Sequence, residues 1–462
     1  MKFTPRILWL STFLSPLVMV STVGQNMALA QIIPDNTLRE ESSIVTPGSA
    51  DGRLTEVLIN GGAERGSALF HSFDDFNVNS GQEVSFVPGS SINQIFSRVT
   101  GGRISNINGL LGVDGLADLF FLNPNGVIFG PNAELDVGGS FVVTTGDRIL
   151  FNKDISFSAV NPQAPSSLLT ITSPFGIQFG ANPGAIHVRQ SDLAVPQGEN
   201  LALIGGDIRI NNGANLTARD GHLNLSAVSE AGIVDFKREA SNPRNLVQIP
   251  DGIERANIAL RNNSQGQVQG NGTGTIMLQA NNVTLSGSQL QAGINQDSGA
   301  IDTRGGAIRI EATGDVRLVQ RAEIRNEVRE TALGNGGRIV IWGDRLLMRD
   351  GSEIRTGTSS SGSAGSIRIK VDQLILEEGN VPETPSEPRP DDEDDRPPRP
   401  DDEDDRPPRP DDEDDRPPRP DDEDDRPPRP DDEDDRPPRP DEDGDRPPRP
   451  DEDGDRPPRP DE

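Results

Sequence analysis

The stretch that decides the fold spans residues 119–145 and reads LFFLNPNGVIFGPNAELDVGGSFVVTT. Its apolar residues form short segments, each of which has apolar residues at alternating positions. Asn, Pro or Gly separates one segment from the next. This pattern is typical of very short β-strands joined by tight turns. The tetrapeptide Asn123-Pro124-Asn125-Gly126 suits a turn because Asn hydrogen-bonds its own backbone, Pro fixes φ and Gly accepts positive φ. Taken alone, it indicates a turn and no chemistry.

A repeat of short strands continues between residues 200 and 378. Successive units begin with glycines that lie 32, 31 and 28 residues apart, at Gly274, Gly306, Gly337 and Gly365. A second alternating pair follows in each unit, at Val283/Leu285, Val316/Leu318, Leu346/Met348 and Leu374/Leu376. In the first three units a third apolar position follows, at Leu290, Ile324 and Ile354. Three strands per turn at a fixed period predict a solenoid, with insertions after the third strand at one corner of the coil.

The predicted fold class is therefore all-β, a right-handed parallel β-helix. Each strand would pair in parallel with its equivalent one coil away, and parallel crossovers are right-handed almost without exception. Roughly ten coils at about 4.8 Å each would make a rod about 50 Å long. The segment from Gln31 to Val78 is expected to cap the first open strand edge. A propeller or sandwich is the alternative, but Asp-Gly turns do not recur here at hairpin spacing.

The N-terminus has the features of a signal peptide. Lys2 and Arg6 supply positive charge, an apolar run follows, and Ala28-Leu29-Ala30 precedes Gln31 as a small-x-small cleavage site. We expect residues 1–30 to be removed and the mature chain to start at Gln31. A membrane anchor is the alternative, but polar residues and a proline break the run. The mature protein is expected to have no stable membrane insertion.

The C-terminal segment, residues 379–462, differs abruptly in composition. From Asp391, the decapeptide DDEDDRPPRP occurs five times and DEDGDRPPRP twice, and this part carries −21 of the formal net charge of −30. A segment so charged and so poor in apolar residues is predicted to be a disordered spacer. A calcium-binding repeat is the alternative. It is disfavoured because Pro stiffens the chain and Arg competes for the carboxylates.

Few residues suggest catalysis, a metal or a cofactor. The chain has no cysteine, and its three histidines, His71, His187 and His222, are isolated in sequence. The net charge of −30 argues against nucleic acid as a partner. A polysaccharide-active β-helix enzyme would need carboxylates on neighbouring coils, and the candidates are Asp207, Asp315 and Asp344. Each precedes a strand, where Asp commonly closes a turn, so we expect no enzyme activity and no cofactor or metal site.

Residues 31 to 236 resemble the N-terminal secretion domain of two-partner secretion exoproteins. The resemblance is to the filamentous haemagglutinin, or haemagglutination activity, type, particularly in forms common in cyanobacteria. It is carried by many short pieces in the expected order, including Phe70, His71, Phe73 and Phe76, then Arg98, Thr100 and Gly101, then Asn123-Pro124-Asn125-Gly126 and Gly138-Gly139-Ser140-Phe141. A run of more than 200 residues in this order is far more specific than any one piece.

The resemblance implies export followed by folding outside the cell. The family's fold is a right-handed β-helix, and its partner is an outer-membrane β-barrel with POTRA domains that recognises the chain in the periplasm. Asn123–Gly126 would then fix a turn of the region that nucleates folding. Residues 31–236 would form the secretion domain and 237–378 further coils. The expected function is that of a non-enzymatic adhesin or matrix component, secreted or held at the cell surface, with a cell-surface or glycan receptor.

Overall fold

The structure is a computed structural model that describes residues 31–48, 56–151, 155–165, 174–239 and 242–377. The predicted signal peptide and the predicted disordered tail lie outside the described residues. The described part is built from β-strands, with one short 3-10 helix at Arg39–Glu41. No helix among these residues has the length and apolarity needed to cross a membrane.

The strands follow one another in chain order as β1 Ile32–Pro34, β2 Ser43–Pro47, β3 Glu56–Gly61, β4 Ala63–Arg65, β5 Ala68–Phe76, β6 Glu83–Phe86, β7 Gln94–Val99, β8 Ser105–Ile107, β9 Leu110–Val113, β10 Asp118–Leu122, β11 Val127–Phe129, β12 Glu134–Asp136, β13 Phe141–Thr144, β14 Arg148–Leu150, β15 Ser156–Ser158, β16 Gly176–Phe179, β17 Ile186–Arg189, β18 Asp192–Val195, β19 Leu201–Gly205, β20 Ile208–Asn211, β21 Asn215–Ala218, β22 His222–Ala227, β23 Gly232–Glu239, β24 Asn242–Gln248, β25 Ile258–Arg261, β26 Gln265–Gln267, β27 Thr275–Ala280, β28 Val283–Ser286, β29 Gln289–Ile294, β30 Gly299–Arg304, β31 Ala307–Ala312, β32 Asp315–Val319, β33 Glu323–Val328, β34 Leu333–Asn335, β35 Arg338–Met348, β36 Glu353–Thr358 and β37 Ser366–Leu376.

These strands form a parallel β-helix, as predicted. Along the first face, ten strands of the described chain pair in parallel with their neighbours one coil away: β5, β7, β10, β13, β19, β22, β27, β31, β35 and β37. A second face runs from β8 to β37, and a third from β3 to β36. The repeat proposed from the glycine spacing has the correct register, because Ile276, Ile308, Ile339 and Ile367 are successive partners.

The interior of the helix is an apolar ladder. On the first face the inward residues of the ten coils are Leu69, Ile95, Leu119, Phe141, Leu201, Leu223, Ile276, Ile308, Ile339 and Ile367. Apart from Ile367 in the last coil, these side chains are buried. Full burial of one such side chain contributes about 1.5–3 kcal/mol, so the ladder is a major source of stability.

The N-terminal cap is smaller than the sequence suggested. Strand β1 pairs antiparallel with β5, and β2 pairs antiparallel with β3, so these two strands cover the open edges of the first coil. The prediction placed all residues from Gln31 to Val78 in the cap. Strands β3 and β5 instead belong to the first coil, because they pair in parallel with β6 and β7.

Insertions occur at two corners rather than at one. Strands β30 and β34 follow third-face strands, as predicted, and pair with each other. Two larger insertions follow first-face strands, after β13 and after β22, and together form a five-stranded antiparallel sheet in the order β15-β14-β16-β23-β24. This sheet covers the outer side of the early coils, where an apolar second core contains Phe70, Phe96, Phe120 and Phe157. The outward aromatic residues of β5, β7 and β10 explain why a covering layer is needed.

Candidate functional site

The Asn123–Gly126 motif forms a turn that is held from within. Asn123 is fully buried, and its Nδ2 donates to the Arg103 carbonyl at 3.0 Å and to Ser105 Oγ at 2.9 Å. Its Oδ1 accepts the backbone N–H of Asn125 at 3.0 Å, and its carbonyl accepts the N–H of Gly126 at 3.1 Å. The side chain therefore closes its own turn and also ties it to the preceding coil.

The same turn is clamped between the coils on either side. Asn125 Nδ2 donates to the Gly101 carbonyl at 2.8 Å, and the Gly184 N–H donates to the Pro124 carbonyl at 3.1 Å. A Cβ on Gly184 would lie 2.5 Å from the Asn125 carbonyl carbon, so only glycine fits there. Gly126 has a φ of +120°. Gly101, the turn and Gly184 therefore lie next to one another, at the same corner of three successive coils.

A buried arginine lies at the centre of a second polar cluster nearby. Arg98, in β7, is fully buried and donates from Nε to Ser72 Oγ at 2.8 Å and from Nη2 to Thr37 Oγ1 at 2.7 Å. Its Nη1 donates to the carbonyls of Ser158 at 2.9 Å and Gln163 at 3.0 Å. One guanidinium therefore joins the cap, the first two coils and the covering antiparallel sheet.

Asp35 supplies the negative charge of this cluster. Its carboxylate accepts hydrogen bonds from Thr37 Oγ1 at 2.6 Å, Ser72 Oγ at 2.7 Å and Thr100 Oγ1 at 2.6 Å. The hydroxyls of Thr37 and Ser72 also accept hydrogen bonds from Arg98, so each of them bridges the carboxylate and the guanidinium. Hereafter we call Asp35, Thr37, Ser72, Arg98 and Thr100 the Arg98 network.

Both charges of the Arg98 network persist at neutral pH. Burial lowers the pKa of Arg98 to about 10, and the charge of Asp35 opposes that shift. Burial acts to raise the pKa of Asp35, but hydrogen bonds from Thr100, Thr37 and Ser72 outweigh it, so this pKa lies below its usual value. The network is therefore a charged, hydrogen-bonded junction.

The aromatic residues of β5 divide between the two cores. Phe70 points outward, stacks on Phe96 with ring centroids 5.2 Å apart, and meets Phe157 edge-on at 5.0 Å. Arg98 lies 4.2 Å above the Phe157 ring. Phe73 and Phe76 point inward and meet each other at 5.1 Å. Strand β5 is consequently buried on both faces.

His71 also points into the helix interior. Its ring is fully buried beside Phe86, at 5.2 Å between centroids, and its Nδ1 lies 3.0 Å from Ser43 Oγ of the cap strand β2. Burial lowers the pKa of His71 to about 3, so the imidazole is neutral at physiological pH. This position serves packing between the cap and the first coil.

The predicted cleavage site lies partly outside the described residues. Ala28 and Ala30 are not described, whereas Gln31 is exposed and its carbonyl accepts the Asn77 N–H at 3.0 Å. The chain is therefore bound to the first coil from its first described residue onward.

The acids weighed as catalytic groups serve as turn and ion-pair residues. Asp207 Oδ1 accepts the Asn257 N–H at 3.1 Å, and Asp315 pairs with Arg317 at 2.8 Å and with Arg345. Asp207 and Asp315 are three coils apart, about 14 Å, whereas an inverting glycosidase pair is about 6.5–9.5 Å apart. Asp207 and Asp315 occupy equivalent positions in their coils. In the next coil that position is held by Arg345, and Asp344 precedes it by one residue. Across the described ranges, no group of three or more His, Cys, Asp or Glu could hold a metal ion.

The sequence interpretation selected Arg98 and Thr100 but missed Asp35, Thr37 and Ser72. Asp35-Asn36-Thr37 has the composition of an Asx turn, and Thr37 indeed donates its N–H to Asp35 Oδ1 at 2.9 Å. That signal predicts a local turn. It does not reveal that the carboxylate accepts a hydrogen bond from Thr100, 65 positions later.

Comparison with known families decides the family. The model of the TPS secretion domain matches residues 30–278, which is more than half of the chain. The chain belongs to the two-partner secretion family. Its members are exoproteins that pass through the periplasm and a partner outer-membrane transporter to the cell surface or the extracellular space. This chain is accordingly a secreted exoprotein.

One individual protein and two solved structures are also similar to this chain. The heme/hemopexin-binding protein of Haemophilus influenzae is 24% identical over 258 residues, which are 55% of this chain and 26% of that protein. This chain thus spans about a quarter of that relative's length. Two solved structures are also similar. The HMW1 secretion domain from H. influenzae has 16% identity and a TM-score of 0.39, covering 73% of this chain and 98% of that one. A filamentous hemagglutinin secretion domain has 15% identity and a TM-score of 0.32, covering 75% and 99%.

Proposed function

We propose that this exoprotein is a non-enzymatic adhesin or matrix component, exported by a transporter whose POTRA domains recognise residues 31–236 as a secretion domain. Residues 237–378 then serve as further coils. The observation that carries the proposal is the sealed N-terminal end of the β-helix, where cap, first coils and covering sheet meet at the Arg98 network. Because the cap covers the edges of the first coil, new coils can be added only at the opposite end of the helix.

Such a structure fits a chain that crosses the outer membrane unfolded and folds outside. Each completed coil exposes a row of backbone N–H and C=O groups that the next coil can pair with. Once the first coils are stable, every added coil buries apolar side chains and withdraws more chain from the transporter. In this proposal, the Asn123–Gly126 turn and the Arg98 network act by stabilising the folding nucleus.

The experiment compares secretion of the wild type with and without the candidate transporter gene, beside an Asn123→Ala, Asn125→Ala double variant. We expect transporter deletion to abolish extracellular protein, and the double variant to reduce it while degradation products collect in the periplasm. An Asn161→Ala, Asn182→Ala double variant is the matched control, because both side chains are exposed and make no side-chain hydrogen bond within the described structure. Unchanged extracellular protein after transporter deletion would contradict the proposal.

The adhesive role needs a separate measurement. Cells or surfaces are exposed to the purified secreted chain, and retention is measured against a variant that is secreted equally well but truncated after residue 278. We expect retention to depend on the coils beyond that residue. Equal retention of both forms, or none of either, would contradict an adhesive role for these coils while leaving the export route intact.

A further inference from the structure

The last coils carry a cluster of unpaired cations, three on the outer side of the first face and one in the insertion strand β30. Arg304, Arg338, Arg368 and Lys370 are all exposed, and no ion pair engages them within the part of the chain that the structure describes. Most other arginines of these coils are paired, as Arg317 and Arg345 are with Asp315. Cations left unpaired beside so many neighbouring pairs are available for an external anion.

Three of these cations, Arg304, Arg338 and Arg368, line a groove. One cavity of about 560 Å³ is lined by Arg304, Arg338 and Arg368 together with Asn335, Ser363 and Ser366. A second cavity of about 390 Å³ is lined by Arg304, Arg309 and Arg338. Arg304 and Arg338 line both cavities, so the two cavities form one groove. The groove runs across strands β27, β31, β35 and β37 of four successive coils. Hereafter we call it the arginine groove.

Its geometry suits a linear ligand with repeated negative charge. Arg309, Val340 and Arg368 occupy one position in successive coils, so the two arginines are about 10 Å apart along the helix axis. Guanidinium groups bind carboxylate or sulfate oxygens through paired N–H donors, and the hydroxyls and amide of the groove add neutral donors.

An exposed tryptophan lies beside the cations. Trp342 is 39% exposed, and it shares one position on the outer face with Glu311 and Lys370 of the adjacent coils. Arg309 lies 5.2 Å above its ring and also pairs with Glu311 at 3.3 Å. A flat apolar ring next to unpaired cations complements a sugar ring that bears an anionic substituent.

We propose that the arginine groove binds an anionic polysaccharide through its carboxylate or sulfate groups. This inference rests on the proposed adhesive function and names its ligand class. No acid is among the described residues that line the two cavities. Ionic screening over about 8–10 Å weakens the effect of the rest of the acidic chain. Duplex nucleic acid requires a larger basic footprint, which a chain of net charge −30 does not present.

The test measures binding of the full secreted chain to three immobilised glycans. Heparin is the sulfated probe, polygalacturonate the carboxylated probe and dextran the neutral control. We expect binding to one or both anionic glycans, weakening as salt rises, and no binding to dextran. The variant Arg304→Gln, Arg338→Gln, Arg368→Gln should bind about tenfold more weakly or worse, because three charge-assisted contacts are lost.

The matched control is the variant Arg189→Gln, Arg261→Gln, Arg321→Gln. It removes the same charge from exposed arginines outside the groove, so it should bind as the wild type does. Equal thermal unfolding of all forms shows that the fold is intact.

The inference is overturned by no binding to either anionic glycan, by equal weakening in both triple variants, or by displacement of glycan by duplex DNA at lower concentration than by free glycan. If the groove variant still adheres to cells, the glycan assignment fails while the adhesive function stands.

Discussion

Arg98 shows how a single residue can connect three parts of this protein. It satisfies two hydroxyls and two carbonyls at once while its planar group lies over Phe157. The side chain is fully buried, so any partner it loses is left without water to replace it. The residue therefore contributes specificity as well as stability, by fixing how the cap and the covering sheet meet the helix.

Replacing Arg98 by Met should destabilise the protein by about 3 kcal/mol. Methionine keeps much of the volume but leaves the carbonyls of Ser158 and Gln163 and the carboxylate of Asp35 under-satisfied. Denaturant unfolding of the purified chain measures the effect. The exposed Arg189→Met variant is the control and should change stability by less than about 0.5 kcal/mol. A similar small effect in both variants would show that the network is not stabilising.

His71 predicts a dependence of stability on pH. The pKa of His71 is about 3 in the folded protein, against 6.5 for an unperturbed imidazole. As pH falls, the unfolded chain therefore takes up a proton on this histidine before the folded protein does. The free energy of unfolding should therefore drop by about 1.4 kcal/mol per pH unit below 6.5, until the folded state also protonates near pH 3.

A His71→Gln variant should remove that slope, and unfolding at a series of pH values tests this. His187→Gln is the comparison, because His187 is only partly buried and burial lowers its pKa less. A wild-type profile that is flat between pH 6.5 and 4 would refute the burial of a neutral imidazole. Asp35 adds acid sensitivity at lower pH, since the stability that its lowered pKa provides is complete above the unfolded value of 3.8 and is lost as pH falls below it through the folded pKa.

At the level of elements, the corner turns decide whether coils can stack. Gly126 has a φ of +120°, and a Cβ there would lie 2.8 Å from the Ala185 carbonyl. Gly126→Ala should cost about 1–3 kcal/mol from strain and the close contact. Gly102→Ala is the matched control, because its Cβ would meet nothing within 4 Å. Thermal unfolding compares the two, and equal midpoints would show that the turn is not tightly constrained.

The antiparallel sheet is predicted to be part of the folded unit. Phe157, from β15, is buried against Phe70 and Arg98. Phe157→Ala should destabilise the protein by about 3–5 kcal/mol by leaving a cavity. Phe175→Ala, where the ring is 38% exposed, should cost much less. If the Phe157 variant unfolded in a separate, earlier transition, the sheet would be an independent attachment instead.

Sequence patterns reveal the coils more readily than the sheet that covers them. Regular spacing places Ile276, Ile308 and Ile339 in register, because the parallel ladder repeats the same environment every coil. The coil that contains Leu223 and Ile258 escapes the pattern, since β23 and β24 interrupt it. The antiparallel sheet is not predictable from periodicity, because its strands alternate like the others and β16 pairs with β23, more than 50 residues later.

The two ends of the β-helix differ. The N-terminal end is sealed by β1 and β2 and held by the Arg98 network, whereas the C-terminal strand β37 pairs on one side with β35 within the described chain. A solenoid of this kind gains stability coil by coil from its neighbours. In the proposed export route, assembly that starts at the sealed end gives export a direction, because the first part to emerge would also template the rest.

The measurement that tests this claim most directly is stopped-flow folding and unfolding of the purified chain, followed by circular dichroism. The account predicts that the Asn123→Ala, Asn125→Ala variant refolds more slowly, in proportion to its loss of stability, because the turn belongs to the nucleus. Ile339→Val, near the far end, should leave the refolding rate unchanged and accelerate unfolding. Slow refolding of the Ile339 variant with normal refolding of the turn variant would contradict nucleation at the N-terminal end.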